Sequence, residues 1–158
     1  MNSPASIRRA TSEDVDRIRA IAHAAYVKYV ARIGREPAPM VADFAALIAA
    51  GYVVVAEDRG GINGYMIGWP DADAYFIDNI AVDPEHQGQG LGRYLIEYAA
   101  FEARRLRLPT VRLYTNVAMT ENLAMYAHIG FVETHRTTEH GFERAYLRWS
   151  LDDRRLRS

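Results

Sequence analysis

The sequence predicts a three-layer α+β fold, with a central mixed sheet, mostly antiparallel with one parallel pair, and helices on both faces. Three observations carry this reading. Short apolar runs bounded by Gly, Pro, Asn and Asp alternate with segments of helical period, in the order β-α-α-β-β-β-α-β-α-β-β. Turn signals of the hairpin kind join the strands up to Ala74 and again after Phe131. Between them, Ala74 to Thr115 reads as strand–helix–strand, which demands a right-handed crossover and a parallel pair.

Each element has its own signal. Ile7–Arg9 is a short strand, and Thr11-Ser12-Glu13-Asp14 opens a helix with a hydroxyl cap and acids in its first turn. Val15, Ile18, Ala22, Ala25 and Tyr29 continue it at helical spacing until Gly34 to Pro39 breaks it. Asp43 caps a second, short helix through Ala49, which Gly51 ends. Tyr52–Glu57 and Ile62–Trp69 form a hairpin around Asp58-Arg59-Gly60-Gly61, and Pro70-Asp71-Ala72-Asp73 turns the chain into the apolar strand Ala74–Val82. Leu91, Tyr94, Leu95, Tyr98 and Ala99 give a helical stripe that ends near Leu108-Pro109. Val111–Thr115 is a strand, Thr120–His128 a helix stopped by Gly130, and Phe131–Thr138 with Phe142–Leu151 a closing hairpin around Glu139-His140-Gly141. Residues 1–5 read as a loose start and 152–158 as a charged tail, both flanking a single domain that spans residues 1–158.

Composition narrows the function classes. Nineteen basic and 20 acidic side chains leave a net charge of −1, which offers no general attraction to nucleic acid or to an anionic membrane. The absence of cysteine excludes disulfides, thiolate-bound zinc and thiolate nucleophiles. No run approaches the ~20 apolar residues of a membrane span, and the first residues lack the blocks of a signal peptide, so a cytoplasmic protein is expected. The histidines at 23, 86, 128, 135 and 140 show no His-x-x-x-His spacing, so no metal is assigned; His86 reads as an exposed loop side chain.

The chemistry concentrates in Ile80-Ala81-Val82-Asp83-Pro84-Glu85-His86-Gln87-Gly88-Gln89-Gly90-Leu91-Gly92-Arg93-Tyr94-Leu95. A buried strand enters a Pro-containing turn, then a glycine-rich loop, then an apolar helix. Glycines at alternate positions free the backbone and remove side chains that would block a ligand. The new helix adds unpaired N–H groups and a partial positive charge, so the run reads as a phosphate cradle with Arg93 at its rim. A P-loop needs Gly-Lys-Ser/Thr, but Gly92 is followed by Arg93-Tyr94; a dinucleotide fingerprint needs Gly-x-Gly-x-x-Gly, but Gly88, Gly90 and Gly92 are evenly spaced. The plain alternative is a tight strand–helix turn.

Gln87-Gly88-Gln89-Gly90-Leu91-Gly92 matches Gln/Arg-x-x-Gly-x-Gly/Ala, the coenzyme A signature of the GNAT acetyltransferases, which this chain resembles. The resemblance includes Ile80-Ala81-Val82-Asp83-Pro84-Glu85 and continues in Asn122-Leu123-Ala124-Met125-Tyr126-Ala127-His128-Ile129-Gly130-Phe131, like that family's Tyr-x-x-x-Gly-Phe motif. It implies acetyl-CoA as co-substrate and acetyl transfer to a primary amine by direct attack. It places the pantetheine arm beside Ile80, Ala81 and Val82, the pyrophosphate on Gln87, Gly88, Gln89, Gly90, Leu91, Gly92 and Arg93, and an acid for the leaving thiolate at Tyr126. The alternative reading of Tyr126 is a core aromatic that anchors its helix. Asn122 shares its helix face four residues earlier, whereas many relatives carry an asparagine seven residues earlier, where this chain has Met119.

An alkyl ammonium has a pKa of about 10.4, so the acceptor needs a base or a water chain. Asp78, in the apolar run Tyr75-Phe76-Ile77-Asp78-Asn79-Ile80, is the candidate base, with Asn79 orienting water or substrate; a carboxylate paired with an arginine is the alternative. Tyr29 is the candidate acceptor-side residue from the region 26–40, or an ordinary core tyrosine, and Arg35 reads as part of a solvated face. Trp69, Tyr114 and Arg136 are further acceptor-side candidates. The expected partner is a small-molecule or peptide amine, the resemblance admits a homodimer, and the rival function is a non-catalytic acyl-CoA sensor.

Overall fold

The structure, a computed structural model, describes residues 5–151. Residues 1–4 of the start expected over 1–5, and the tail expected over 152–158, lie outside the described residues. Two compact units divide the chain. One is built from the chain up to Gly68 with Asn79–Ile96; the other is built from Trp69–Asp78 with the chain from Glu97 onward.

In the first unit, β1 (Ser6–Arg9) pairs antiparallel with β2 (Val53–Asp58), and β2 pairs antiparallel with β3 (Gly61–Asp71). A 3₁₀ turn at Ser12–Asp14 leads into α1 (Val15–Tyr26), which buries Ile18, Ile21, Ala22 and Ala25. Thr11 stands at the N-cap, in a capping box with Asp14. The Asp14 carboxylate accepts from the Thr11 N–H at 2.8 Å and from Arg8 at 2.9 Å, and Arg8 also reaches Glu57 at 2.8 Å. That fork ties the helix start to β1 and β2.

The helix expected to run on to Tyr29 does not stay α-helical. A 3₁₀ turn at Val27–Tyr29 separates α1 from α2 (Val30–Ile33). Residues i and i+3 eclipse in a 3₁₀ turn, so Tyr26 and Tyr29 both point inward, their rings 6.3 Å apart. A further 3₁₀ turn at Ala38–Val41 occupies the expected break, and Asp43 caps α3 (Phe44–Ala49) by accepting from the Ala46 N–H at 3.1 Å. β3 is buried on both faces from Ile62 to Gly68, where Tyr65 packs edge-on against Phe44 at 5.7 Å. Gly64 permits a close approach: a Cβ there would come within 3.1 Å of the Ala81 carbonyl oxygen and 3.3 Å of Leu95.

β4 (Ala74–Val82) belongs to the second unit as far as Asp78, and there its residues Ala74–Ile77 pair in parallel with Thr110–Leu113 of β5 (Thr110–Asn116). β5 is antiparallel to β7 (Phe142–Ser150), and β7 to β6 (Val132–Glu139). α4 (Leu91–Arg105) connects the two parallel strands and buries Leu95, Ile96, Ala99, Ala100 and Ala103. α5 (Thr120–Ile129) precedes the final hairpin, whose turn residues His140 and Gly141 both have positive φ, as a two-residue hairpin turn requires. β6 begins one residue later than expected because Phe131 is drawn inward against Trp149, with ring centroids 5.5 Å apart.

The strand order is β1-β2-β3-β4-β5-β7-β6, a mixed seven-stranded sheet with one parallel pair, flanked by helices, as the sequence predicts. No described helix is long and apolar enough to cross a membrane.

Candidate active site

The loop after β4 is fixed at its entrance by Asp83. Its N–H donates to the Asn63 carbonyl at 2.8 Å, and its carboxylate accepts from Arg17 at 2.7 Å and from the Glu85 N–H at 3.0 Å. Arg17 also donates to the Ile62 carbonyl at 2.9 Å, so α1, β3 and the 3₁₀ turn Pro84–His86 meet at one ion pair. The Arg17 guanidinium, followed by the Glu85 amide, holds the Asp83 carboxyl below the usual range. His86 is half-buried rather than exposed, because this turn pins it; its Nδ1 is enclosed without a hydrogen-bond partner.

Beyond this turn the backbone alternates in hand. Gly88 has φ +83° and Gly90 has φ +84°, and a Cβ on either would meet no atom within 4 Å. Crowding therefore does not select these glycines; the left-handed backbone does, at a cost of roughly 1–2 kcal/mol to any other residue. Such alternation gathers successive N–H groups on one side, forming an anion-binding nest. The first helical bond of α4 runs from the Tyr94 N–H to the Gly90 carbonyl at 2.9 Å, so Leu91 and Gly92 have no intrahelical acceptor for theirs. Open space above two glycines, converging amides and a helix N-terminus fit a diphosphate.

β4 leaves its parallel ladder early. The registered pairs end at Ile77–Leu113, although β4 continues to Val82. Past that point the Ile80 carbonyl accepts the Tyr26 hydroxyl at 2.6 Å, and the Val82 carbonyl accepts the Gln87 side-chain amide at 3.3 Å.

Strand alternation separates the two faces of β4: Tyr75, Ile77, Asn79 and Ala81 are buried, while Phe76, Asp78 and Ile80 are half-buried. In the second unit, Asp78 lies near the Tyr114 hydroxyl and the Arg144 guanidinium. Burial lifts its carboxyl above the ordinary value, against the opposing pull of Arg144 and Tyr114. Arg144 lies 4.3 Å over the Tyr114 ring and donates to Glu139 at 3.2 Å. Glu139 also accepts the Tyr146 hydroxyl, and burial together with this bond pushes the Tyr146 phenol up to about 12. The rings form a row across the strands. Trp69 and Phe76 are 5.6 Å apart, Phe76 and Tyr114 5.9 Å, Tyr114 and Tyr146 5.6 Å, and Tyr146 and His135 4.6 Å.

The acetyltransferase (GNAT) domain family model matches residues 49–133, which include β4, the glycine loop, α4 and α5. The chain belongs to the GNAT acetyltransferase family. The [Ribosomal protein bS18]-alanine N-acetyltransferase of Escherichia coli (strain K12) is 40% identical over 61 residues, which cover 39% of this chain and 41% of that protein. The chain thus matches less than half the length of this relative. The L-amino acid N-acyltransferase MnaT of Escherichia coli (strain K12) is 29% identical over 126 residues, 72% of this chain and 73% of MnaT. Among solved structures, yncA from Salmonella typhimurium with its cofactor acetyl-CoA superposes with a TM-score of 0.68 at 25% identity, covering 94% of this chain and 95% of that one.

The expected site residues of this GNAT chain fall into groups. Gln87, Gly88, Gln89, Gly90, Leu91, Gly92 and Arg93 lie together in the loop and first turn of α4. Ile80 and Val82 follow on the strand, whereas Ala81 is turned inward against Gly64. Asn79 is buried on the face of β4 opposite Asp78 and accepts the Tyr65 hydroxyl at 3.0 Å. Tyr126 is 4% exposed, its ring edge-on to Phe131 at 5.5 Å, and its carbonyl accepts the Gly130 and Phe131 N–H groups that end α5. Asn122 is half-buried, with its amide 3.6 Å from the sulfur of Met119, the buried cap residue of α5. Tyr29 is buried, with Lys28 and Arg32 5.1 and 5.0 Å from its ring centre, and Arg35 is exposed.

Trp69 and Tyr114 join one aromatic row, but Arg136 does not; it pairs with Glu133 on exposed β6. Among the described residues no cluster of His, Cys, Asp or Glu could hold a metal. Sequence reasoning missed Arg144, Tyr146 and Glu139. The available signal was the alternation Phe142, Arg144, Tyr146, which places three large side chains on one face of β7.

Proposed function

We propose that the protein is an N-acetyltransferase that moves the acetyl group of acetyl-CoA to a primary amine by direct attack within a ternary complex. The observation that carries this is the pair of left-handed glycines opening onto the N-terminus of α4 in a chain of this family. The main-chain amides of Gln87 to Arg93 bind the diphosphate. The edge of Ile80 and Val82 aligns the pantetheine arm, with Tyr26 and Gln87 holding two of its carbonyls in place. An N–H at or near Ile80 donates to the thioester oxygen, where negative charge develops.

Acetyl-CoA supplies the activated thioester. Asp78, directly or through water, takes the proton of the acceptor ammonium, and its raised pKa suits that task. The amine nitrogen then bonds to the acetyl carbon, the carbon–sulfur bond breaks, Tyr126 gives its proton to the departing sulfur, and the second proton shed by the nitrogen passes to water, from which Tyr126 is reprotonated. Asn122 steadies the cofactor from the same helix face. Curated relatives act on a ribosomal-protein alanine and on L-amino acids, by their names, which supports an amine acceptor.

Two measurements test this reading. In thermal shift, acetyl-CoA should stabilise the protein and ATP and NAD should not. Acetyl-CoA with a library of amines should then release free thiol. Stabilisation without thiol release from any amine would leave an acyl-CoA sensor in place of an enzyme.

A further inference from the structure

The half-buried face of β4, β5 and β7 holds more than the proposed base. Two carboxylates, Asp78 and Glu139, share this surface with the Arg144 guanidinium. Arg144 gives its hydrogen bond to Glu139, and among the described residues Asp78 has no ion pair of its own. Arg112, farther along the same face, is taken by Asp71 at 3.1 Å, and Arg148 opposite it is exposed. The inner cluster therefore carries one negative charge more than positive when both acids are ionised.

Around that charge the surface is aromatic. The register sets Tyr114 directly opposite Tyr146, and Phe76 stacks on Tyr114 with its ring plane tilted by only 30°. Ring faces attract cations, and the protein already uses this one so: the Arg144 guanidinium lies 4.3 Å over the Tyr114 ring and is held by Glu139. A surplus carboxylate beside a wall of rings matches a ligand that has a positive end and a flat apolar body.

We propose that this face selects an arylalkylamine as acetyl acceptor, its ring lying against Phe76, Tyr114 and Tyr146 and its amine facing Asp78. The proposal rests on the acetyl-transfer reading and adds the chemical class of the acceptor. It disfavours an acceptor with a carboxylate next to the amine. Such a group would meet Asp78 and Glu139, and the one nearby guanidinium is already bonded.

The test compares 2-phenylethylamine, 2-cyclohexylethylamine, hexylamine and phenylalanine. Binding is read by calorimetry on the coenzyme A-loaded protein, and turnover by thiol release from acetyl-CoA. 2-Phenylethylamine should bind about fivefold or more tighter than its cyclohexyl counterpart, and tighter than phenylalanine by at least as much. Tyr146→Leu, on a half-exposed ring, and Phe76→Leu should each draw the phenyl-to-cyclohexyl ratio toward one without shifting the melting temperature greatly.

Equal binding of the phenyl and cyclohexyl amines, tighter binding of phenylalanine, no binding of any amine, or ratios untouched by both variants would overturn the proposal. Selective binding without thiol release would sustain the aromatic platform and remove acetyl transfer. Thiol release at one rate from every amine would sustain transfer and remove the platform.

Discussion

The glycine loop and the aromatic face are built in opposite ways. The loop uses main-chain amides from consecutive residues, and its side chains matter mostly by being absent at Gly88 and Gly90. The face uses side chains from three strands far apart in the chain, and its geometry exists only because Tyr114 stands opposite Tyr146 and Arg144 folds back over Tyr114. The first can be read from a short motif. The second is encoded in the register between strands, which no short stretch of sequence records.

The difference can be broken most forcefully at the loop. Gly90→Glu forces a side chain into a left-handed backbone and puts a carboxylate where the diphosphate belongs, so calorimetry should detect no binding of coenzyme A. Unchanged affinity would defeat the assignment of the nest. Asp78→Asn and Tyr126→Phe should act the other way, lowering turnover about 10²-fold while leaving coenzyme A affinity nearly intact. Tyr126→Phe with wild-type turnover would reduce that residue to the helix anchor that its packing on Phe131 describes.

Asp78 also gives the comparison a pH axis. Its pKa is raised on folding by burial, so the folded state holds its proton more tightly than the unfolded chain. Ionised Asp78 thus costs stability at neutral pH, and that cost fades as pH falls through the raised value toward the ordinary carboxylate value. Asp78→Asn should melt at or above the wild-type temperature at pH 7, and the gap should close in acid. Turnover should fall on the acid side at a pH above the ordinary carboxylate range. A rate that stays flat down to that range would exclude Asp78 as the base.

Smaller effects sharpen the contrast within the loop. Gly88→Ala adds strain without touching any neighbour and should weaken coenzyme A binding about tenfold. Arg17→Gln removes a partly exposed ion pair, which in general contributes about 0.5 kcal/mol, and should raise the KM for acetyl-CoA about twofold with kcat unchanged. A larger change in kcat than in KM would mean that Asp83 does more than hold the entrance of the loop.

Most of the fold was legible because it rests on local patterns. The order of elements, the parallel pair and the final hairpin all follow from periodicity and turn residues, with shifts of one or two residues at their ends. The long first helix was misread because its break at Tyr26 leaves no propensity signal. It arises where Tyr26 and Tyr29 turn inward together and the Tyr26 hydroxyl meets the Ile80 carbonyl. The partner of Asn79 was illegible for a related reason: neighbouring strand residues point to opposite faces, and only Tyr65 shows which face is the core.

The sequence by itself determined the elements and the glycine loop, because helical period, strand alternation and left-handed glycines belong to residues that follow one another. The tertiary structure alone decided that Asp78 faces Tyr114 and Arg144, that Asn79 is spent on the core, and that five rings from five strands form one row. Those outcomes depend on register and burial, which are set by the partners a residue meets across the sheet and not by its neighbours along the chain.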